Sequence, residues 1–314
     1  MTVPPEMDAD PGDLGVQAVL LASARSRALG ALPAQESRLK RILIRWLGQA
    51  FFCHDRGVGR ARSFDDLVAE GASVPVEGWD FSWFDGRAGE ERPSWGYAGI
   101  VVRRMERAGA ALDVQTGGGE VLAWELGQAH CRPARLAATE SWPPNAGLAR
   151  RRLRPLGVAV REVADEDVLP FDDDSFSLVV SRHPVLTGWP EIARVLSPGG
   201  VFLSQQVGAG SNRELYEFMM GPQPDSAQRS PQRAAAEAEA AGLAVVDLRS
   251  EALRVVFNDV GAVVHFLRKV LWTVPGFTVE AYRDRLAALH QQIQAQGPFV
   301  AHSQRFLIEA RKPG

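Results

Sequence analysis

Short apolar runs alternate with helix-like segments along most of the chain. Between the runs, apolar residues recur at helical spacing, for example Val121, Leu122 and Leu126. Strands that alternate with helices predict an α/β fold built on one sheet. The runs typical of strands number seven and occur at residues 110–114, 135–140, 157–163, 174–181, 201–204, 243–248 and 305–310.

The first of these strands ends in a cluster of glycines. Residues 111–120 have the sequence ALDVQTGGGE, in which a helix-like run follows the glycines. A strand, a glycine turn and a helix form the geometry of a nucleotide-type site, because glycine accepts unusual backbone angles and lets a ligand approach closely. The free N–H groups of the helix start suit a negative group, and Asp113 suits a ligand with an ammonium group. A plain glycine-rich turn is the alternative interpretation.

Further segments follow the glycine turn in a characteristic order. A second strand ends in Glu140, and it is followed by ADEDVLPF at 164–171, DSFSLVVS at 174–181 and EIARVLSPGGVFLS at 191–204. In this order they resemble the class I S-adenosylmethionine (SAM)-dependent methyltransferases, in the broad group with an LPF…SFD…EIARVLKPGG pattern. Ser177 and Ser197 replace the Asp and Lys of that pattern, and neither position is a cofactor contact in it. The resemblance covers about half of the chain, and the TGGGE, SRHP and SQQVG signatures are similar to an actinobacterial subgroup.

The resemblance implies a doubly wound, Rossmann-like sheet of seven strands whose last strand is antiparallel, with SAM as the cofactor and S-adenosylhomocysteine as its product. It implies that Asp113 holds the methionine ammonium, that Glu140 binds the ribose hydroxyls and that Asp165 accepts from the adenine amino group. Gln115 stands where the family has its first glycine, so it must take ordinary backbone angles or accept strain. The cofactor residues implied in this way are Tyr97, Asp113, Gln115, Gly117, Gly119, Glu140, Ser141, Asp165, Glu166 and Ser181.

The candidate catalytic residues follow the fourth strand. Ser181-Arg182-His183-Pro184 lies where ligands of such folds bind, at the carboxyl edge of the sheet;. His183 is the candidate general base, which is needed only if the acceptor loses a proton as it attacks. Arg182 is the candidate clamp for a substrate carboxylate. A histidine that only shapes the loop is the alternative. No Asn-Pro-Pro-aromatic motif stands here, which argues against methylation of adenine amino groups in nucleic acid.

Aromatic and amide side chains flank this region and are candidates for a substrate pocket. Core packing is the alternative for any single aromatic. Gln205 and Gln206 point to opposite faces of their strand, so at most one of them lines the pocket. The predicted pocket residues are Trp83, Trp95, Gln206, His265 and Trp272.

The pattern divides the chain into four parts. Helix-like runs at 14–29 and 36–52 precede the sheet, and two more precede its last strand;. In the resembled family such flanking segments usually form a lid over the substrate, and helices that pad the sheet or build a homodimer are the alternative. The predicted parts are an N-terminal helical extension or lid at 1–90, a SAM-binding Rossmann-like core at 91–250, a helical insertion at 251–298 and the final strand of the core sheet at 299–314.

Composition narrows the class of protein. Apolar residues make up 46% and charged residues 23% of the 314 positions, which is ordinary for a globular enzyme;. The net charge of −3 does not indicate the basic surface that nucleic-acid binding needs;. With two cysteines, a disulfide framework is not expected and a reducing compartment is favoured;. No apolar run is long enough to span a membrane, the acidic N-terminus is unlike a signal peptide, and no metal-ligand pattern occurs. A cytoplasmic location is therefore expected.

These observations predict a SAM-dependent methyltransferase that acts on a small molecule. The aromatic flanks favour an aromatic or heteroaromatic acceptor, for example in secondary metabolism. A methyltransferase for RNA or protein is the first alternative. A SAM-binding protein without activity and an NAD-dependent oxidoreductase are further alternatives, although the chain lacks a clean G-x-G-x-x-G motif;.

Overall fold

The computed structural model describes residues 62–76, 81–224 and 228–314. The predicted helices at 14–29 and 36–52 lie outside these residues. In chain order the helices are α1 (Phe64–Ser73), α2 (Tyr97–Met105), α3 (Glu120–Gln128), α4 (Pro143–Leu153), α5 (Trp189–Val195), α6 (Arg213–Met220), α7 (Pro231–Ala240), α8 (Val260–Lys269) and α9 (Arg283–Gln296). The strands are β1 (Ala88–Glu90), β2 (Ala110–Asp113), β3 (Arg135–Glu140), β4 (Ala159–Glu162), β5 (Phe176–Arg182), β6 (Leu196–Val207), β7 (Ala244–Phe257) and β8 (Phe299–Arg311).

All eight strands form one sheet in the order β1-β7-β8-β6-β5-β2-β3-β4. The neighbours from β4 to β6 pair in parallel, whereas β8 runs antiparallel to both β6 and β7. The seven predicted strands are confirmed, and so is the antiparallel last strand. The eighth strand, β1, is a three-residue edge strand that pairs antiparallel with β7. It was not predicted, because three residues are too few to show a period of two.

Helices cover both faces of the sheet, which confirms the doubly wound α/β fold. On one face α2, α3 and α4 pack through buried residues such as Val101, Leu126 and Leu153. On the other face α5 and α7 pack through Ile192 and Ala238. The central strands are therefore apolar on both sides, as parallel strands covered by helices must be.

Strands β7 and β8 extend beyond the rest of the sheet. Their pairing continues to Phe257 and Phe299, and Leu253, Val255 and Phe257 are buried at a period of two;. Residues 251–257 of the predicted helical insertion therefore form a strand, and the helices of that segment begin at Val260. This extension carries a third cluster, in which α1, α6, α8 and α9 pack together.

Local caps and close contacts fix the helices of this third cluster. Ser63 begins α1 with a capping box, since its hydroxyl accepts from the Asp66 N–H while the Asp66 carboxylate accepts from the Ser63 N–H;. Asp259 caps α8 by accepting from the Ala262 N–H at 2.8 Å;. Helices α1 and α8 cross at Gly71, where a Cβ would lie 2.3 Å from a backbone oxygen of α8. Among the described residues, no helix combines the length and the apolar character needed to cross a membrane.

Candidate functional site

The turn from β2 to α3 presents one glycine to open space and packs another against the core. Gly117 and Gly119 have φ of 63° and 76°, in the left-handed region that favours glycine;. A Cβ on Gly117 would meet nothing within 4 Å, whereas a Cβ on Gly119 would lie 2.8 Å from Leu153 Cδ1. Gly117 therefore leaves room for a ligand, and Gly119 is required by the packing of α3 on α4.

Two carboxyls lie beside this turn, at the ends of neighbouring strands. Glu140 accepts from the Gly117 N–H at 2.7 Å and from the Trp142 N–H at 3.0 Å. Burial raises the pKa of Glu140, and these N–H groups oppose the rise;. Asp113 accepts from the Thr116 hydroxyl at 2.6 Å. Burial raises the pKa of Asp113 to about 7, and the charge of Glu140 adds to this shift. Two acids at this edge favour a ligand that brings donors or positive charge.

Asp165 is the third acid at this edge and has an unused acceptor. Its Oδ1 is buried and makes no hydrogen bond. Burial raises the pKa of Asp165, and a hydrogen bond with the Ser141 side chain opposes the rise. An unpaired buried acceptor is costly, so it indicates a missing donor. The exocyclic amino group of adenine is such a donor. The hydrogen bond with Ser141 also connects Asp165 to the end of β3, because Ser141 directly follows Glu140. Glu166, the next predicted residue, is exposed.

Glu125 on α3 is a fourth acid in this region and was not predicted from the sequence. It is 2% exposed, and burial together with the charge of Asp113 raises its pKa well above the usual range. Tyr97 completes this group, because burial and the charges of Glu125 and Asp113 raise its pKa, while a backbone hydrogen bond with Ser181 opposes the shift. The signal was present in the sequence, since Glu125 falls on the buried stripe of α3 that contains Leu122;.

Gln115 has a left-handed backbone conformation, which is strained for a residue other than glycine;. Its φ is 58°, in the left-handed region, where the resembled family has glycine;. Its side-chain amide donates to the Leu186 carbonyl oxygen at 2.7 Å and accepts from the Val185 N–H at 2.6 Å. Gln115 thereby fastens the loop after β5 to the glycine turn, a role that glycine could not have.

The loop after β5 also contacts β6 through His183. The His183 ring Nε2 lies 2.8 Å from Gln205 Nε2, and the Gln205 Oε1 accepts from the Trp95 indole N–H at 2.8 Å. Arg182 ends β5 in register with Gln205. Ser181 is buried and donates to the Val114 carbonyl oxygen at 2.8 Å. Of the two neighbouring glutamines, Gln205 and not the predicted Gln206 bonds to His183.

Of the other predicted pocket residues, Gln206 contacts the loop after β5, whereas His265, Trp83 and Trp272 lie at the third cluster. Gln206 donates to the Thr187 hydroxyl at 3.1 Å and lines a cavity of about 100 Å³ on the opposite face of the sheet. His265 is 1% exposed and stacks on Phe84 with ring centroids 4.9 Å apart. Burial lowers the pKa of His265 to about 4. Trp83 and Trp272 pack against the same third cluster. The rings of His265, Trp83 and Trp272 therefore pack at the β7–β8 extension, and their role in a substrate pocket stays a prediction.

A family model matches the part of the chain that contains the glycine turn. Residues 112–204 match the family model described as "Methyltransferase domain". This match begins at Leu112 within β2 and includes the glycine turn, Glu140 at the end of β3 and Asp165 after β4. Over these residues the predicted resemblance to the class I SAM-dependent methyltransferases is confirmed, and SAM-dependent methylation is the activity that such a domain supports.

Several solved structures are similar at low identity. The YcgJ protein of Bacillus subtilis has 20% identity and a TM-score of 0.47, and the alignment covers 69% of this chain and 98% of that chain. A SAM-dependent methyltransferase of Aquifex aeolicus has 17% identity and a TM-score of 0.37, and the alignment covers 48% of this chain and 81% of that chain. A geranyl diphosphate methyltransferase in complex with SAM has 15% identity and a TM-score of 0.40, and the alignment covers 68% of this chain and 84% of that chain. No curated protein has a sequence that matches this chain.

Proposed function

We propose that this protein transfers the methyl group of SAM to a small-molecule acceptor. The observation that carries the proposal is the row of acids at the carboxyl edge, in which Asp165 keeps a buried oxygen without a partner. Asp113, Glu140 and Asp165 suit the ammonium, the ribose hydroxyls and the adenine amino group of SAM. Gly117 leaves open space beside them. The residues present therefore fit the cofactor.

Each acid has a separate task in holding this cofactor. Ionised Asp113 would bind the ammonium, and its pKa near 7 means that it ionises within the physiological range;. Glu140 is held in place by two backbone N–H groups, so its remaining lone pairs can accept from two hydroxyls;. When bound, SAM supplies a methyl group on an excellent leaving group. The chain itself must mainly orient the acceptor and exclude water.

The acceptor class is the finer part of the proposal. The net charge of −3 supports a small molecule over RNA, because RNA binding draws mainly on basic surface;. The preference for an aromatic acceptor and the cytoplasmic location stay predictions. Of the predicted aromatic residues, Trp95 alone connects to the loop after β5, and it does so through Gln205.

A binding experiment tests the cofactor part. Glu140→Ala removes the acceptor for two hydroxyls and should weaken SAM binding at least about 100-fold, since each lost hydrogen bond to a charged group costs roughly 1.5–3 kcal/mol. Glu162→Ala is the matched control, because Glu162 ends the next strand but is exposed and pairs with Arg150. Isothermal titration calorimetry measures both variants. Equal SAM affinity in Glu140→Ala and wild type would reject the assigned cofactor site.

A labelling experiment tests the acceptor class. The purified protein is incubated with methyl-labelled SAM and cell extract, which is then separated into small molecules, protein and nucleic acid. Label in the small-molecule fraction is the expected result. Label in RNA or protein would contradict the small-molecule proposal, and SAM binding without any transfer would favour a protein that binds SAM without catalysing transfer.

A further inference from the structure

Three side chains connect the helix-covered core to the loop after β5. Trp95 donates its indole N–H to Gln205 Oε1, and Gln205 Nε2 lies 2.8 Å from His183 Nε2. Trp95 and Gln205 are 8% and 4% exposed, so these bonds are sheltered from water. The His183 backbone N–H also donates to the Gln205 carbonyl oxygen at 2.7 Å. One residue of β6 therefore holds both the backbone and the ring of the candidate catalytic histidine.

The chemistry of these groups fixes the direction of each hydrogen bond. An indole N–H can only donate, so the oxygen of the Gln205 amide must face Trp95. The amide NH₂ group then faces His183, and because it too can only donate, His183 Nε2 must accept with its lone pair. A neutral imidazole carries one ring proton, which must therefore lie on Nδ1. This assignment follows from the donors and acceptors and needs no observed hydrogen position.

The backbone of His183 shows that the position is constrained. Its φ is 54°, in the left-handed region that residues other than glycine rarely occupy;. Such a conformation persists where the surrounding contacts over-determine it, and such residues are concentrated at functional sites. The main-chain and side-chain bonds of Gln205 provide two of these contacts.

We propose that Gln205, oriented by Trp95, is a positioning residue that holds neutral His183 in its Nδ1–H tautomer, so that His183 serves methyl transfer as a hydrogen-bond donor and not as a general base. The catalytic part of this inference rests on the proposed function. With Nε2 engaged and Nδ1 protonated, the neutral ring has no lone pair that could take a proton from the acceptor. This replaces the general-base role that the sequence suggested.

The tautomer restricts the class of acceptor. The lone pair of the acceptor forms the new bond to the methyl carbon, and the carbon–sulfur electron pair stays on sulfur. Any proton on the acceptor then leaves to water. This suits an acceptor that attacks without prior proton loss to the protein, such as a neutral amine or a group already ionised at neutral pH.

Nitrogen NMR of the full chain tests the tautomer directly. With ¹⁵N-labelled histidine at about pH 8, the two ring nitrogens of a neutral imidazole are distinguished by their protonation, and His183→Gln identifies the His183 signals. We expect Nδ1 to be protonated and Nε2 to be unprotonated in the wild type. Gln205→Glu places a carboxylate oxygen against Nε2, so the proton should move to Nε2. Gln206→Glu, one position along β6, is the control and should leave the tautomer unchanged.

A second variant keeps the test decisive if Gln205→Glu does not fold. Trp95→Phe removes the indole N–H that orients the amide, so the amide can reverse and both tautomers should coexist. An Nε2–H tautomer in the wild type would overturn the inference. So would an unchanged tautomer in folded Gln205→Glu or Trp95→Phe.

The catalytic part has a separate measurement. In folded Gln205→Glu at saturating SAM, the rate of label transfer to the small-molecule fraction should fall by about tenfold, as expected for one lost hydrogen bond. SAM affinity should stay the same. An unchanged rate would overturn the catalytic role, while the NMR result would still decide the positioning role. Absence of transfer by the wild type would instead reject the proposed function.

Discussion

Replacing Gln115 tests the most unusual backbone position of the glycine turn. Gln115→Ala keeps the left-handed backbone but removes both bonds to the loop after β5. Each bond contributes about 0.5–1.5 kcal/mol, and water can reach part of this half-exposed loop. We therefore expect Gln115→Ala to lower the free energy of unfolding by about 1–2 kcal/mol.

Gln115→Gly removes the same two bonds but also relieves the strain at φ of 58°. A left-handed residue with a Cβ costs about 1–2 kcal/mol, whereas glycine adds about 0.5–1 kcal/mol of chain entropy to the unfolded state. The balance predicts that Gln115→Gly is more stable than Gln115→Ala by about 0.5–1 kcal/mol. This is the reverse of the usual order of alanine and glycine.

Urea unfolding, followed by circular dichroism, measures the free energy of unfolding of both variants. The comparison holds if this free energy falls with urea concentration at the same slope in both. The control is Ala98→Gly within α2, where glycine should cost about 1 kcal/mol because the backbone is helical;. If Gln115→Ala proved as stable as Gln115→Gly or more stable, the left-handed conformation of Gln115 would be refuted. If neither variant differed from the wild type, the two amide bonds to the loop would make no net contribution.

Two other changes probe the buried acid and the helix crossing. Because the pKa of Asp113 is raised to about 7, ionisation of Asp113 should strengthen SAM binding as pH rises from about 6 to about 7.5, and calorimetry should show no such rise for Asp113→Asn;. The same raised pKa favours folding at low pH, so the stability of the wild type relative to Asp113→Asn should fall as pH rises from about 4 to about 7 and should level off above that; a constant difference would show that Asp113 ionises normally;. Gly261→Ala would bring a Cβ within 2.6 Å of the Leu67 carbonyl oxygen, so it should cost about 1–3 kcal/mol in urea unfolding;. Gly99→Ala, whose Cβ would be 3.5 Å from its nearest neighbour in an ordinary helix, should instead be neutral or stabilising, and an equal loss in both would contradict the close helix crossing;.

The central sheet was predictable because its signals are local. Each strand from β2 to β6 is a short apolar run, and the glycine turn marks where the first of them ends;. The extension of β7 and β8 was not predictable in the same way. Its residues alternate as a strand only because a partner strand and the third cluster bury Val255 and Phe257, so the helical pattern that follows dominated the prediction;.

In the candidate site, too, some residues could be predicted from local sequence and others could not. Asp113 and Glu140 could be placed from the sequence, because each closes a strand and parallel strands end at one edge;. The role of Gln205 could not, since it depends on Trp95, a residue 110 positions away in the chain. The pattern along β6 indicated only that one of two glutamines faces inward. Tertiary packing determines which of the two glutamines bonds to His183.

The loop after β5 is held by glutamine side chains from both neighbouring strands. Gln115, after β2, fixes Val185 and Leu186, and Gln205, on β6, fixes His183. An amide both donates and accepts, so each glutamine can replace a pair of backbone hydrogen bonds where the sheet has ended. This accounts for the tolerance of left-handed backbone at both Gln115 and His183, because the bonds gained offset the strain;. Loss of either glutamine should therefore loosen the same loop from opposite sides, and the two losses should not be additive.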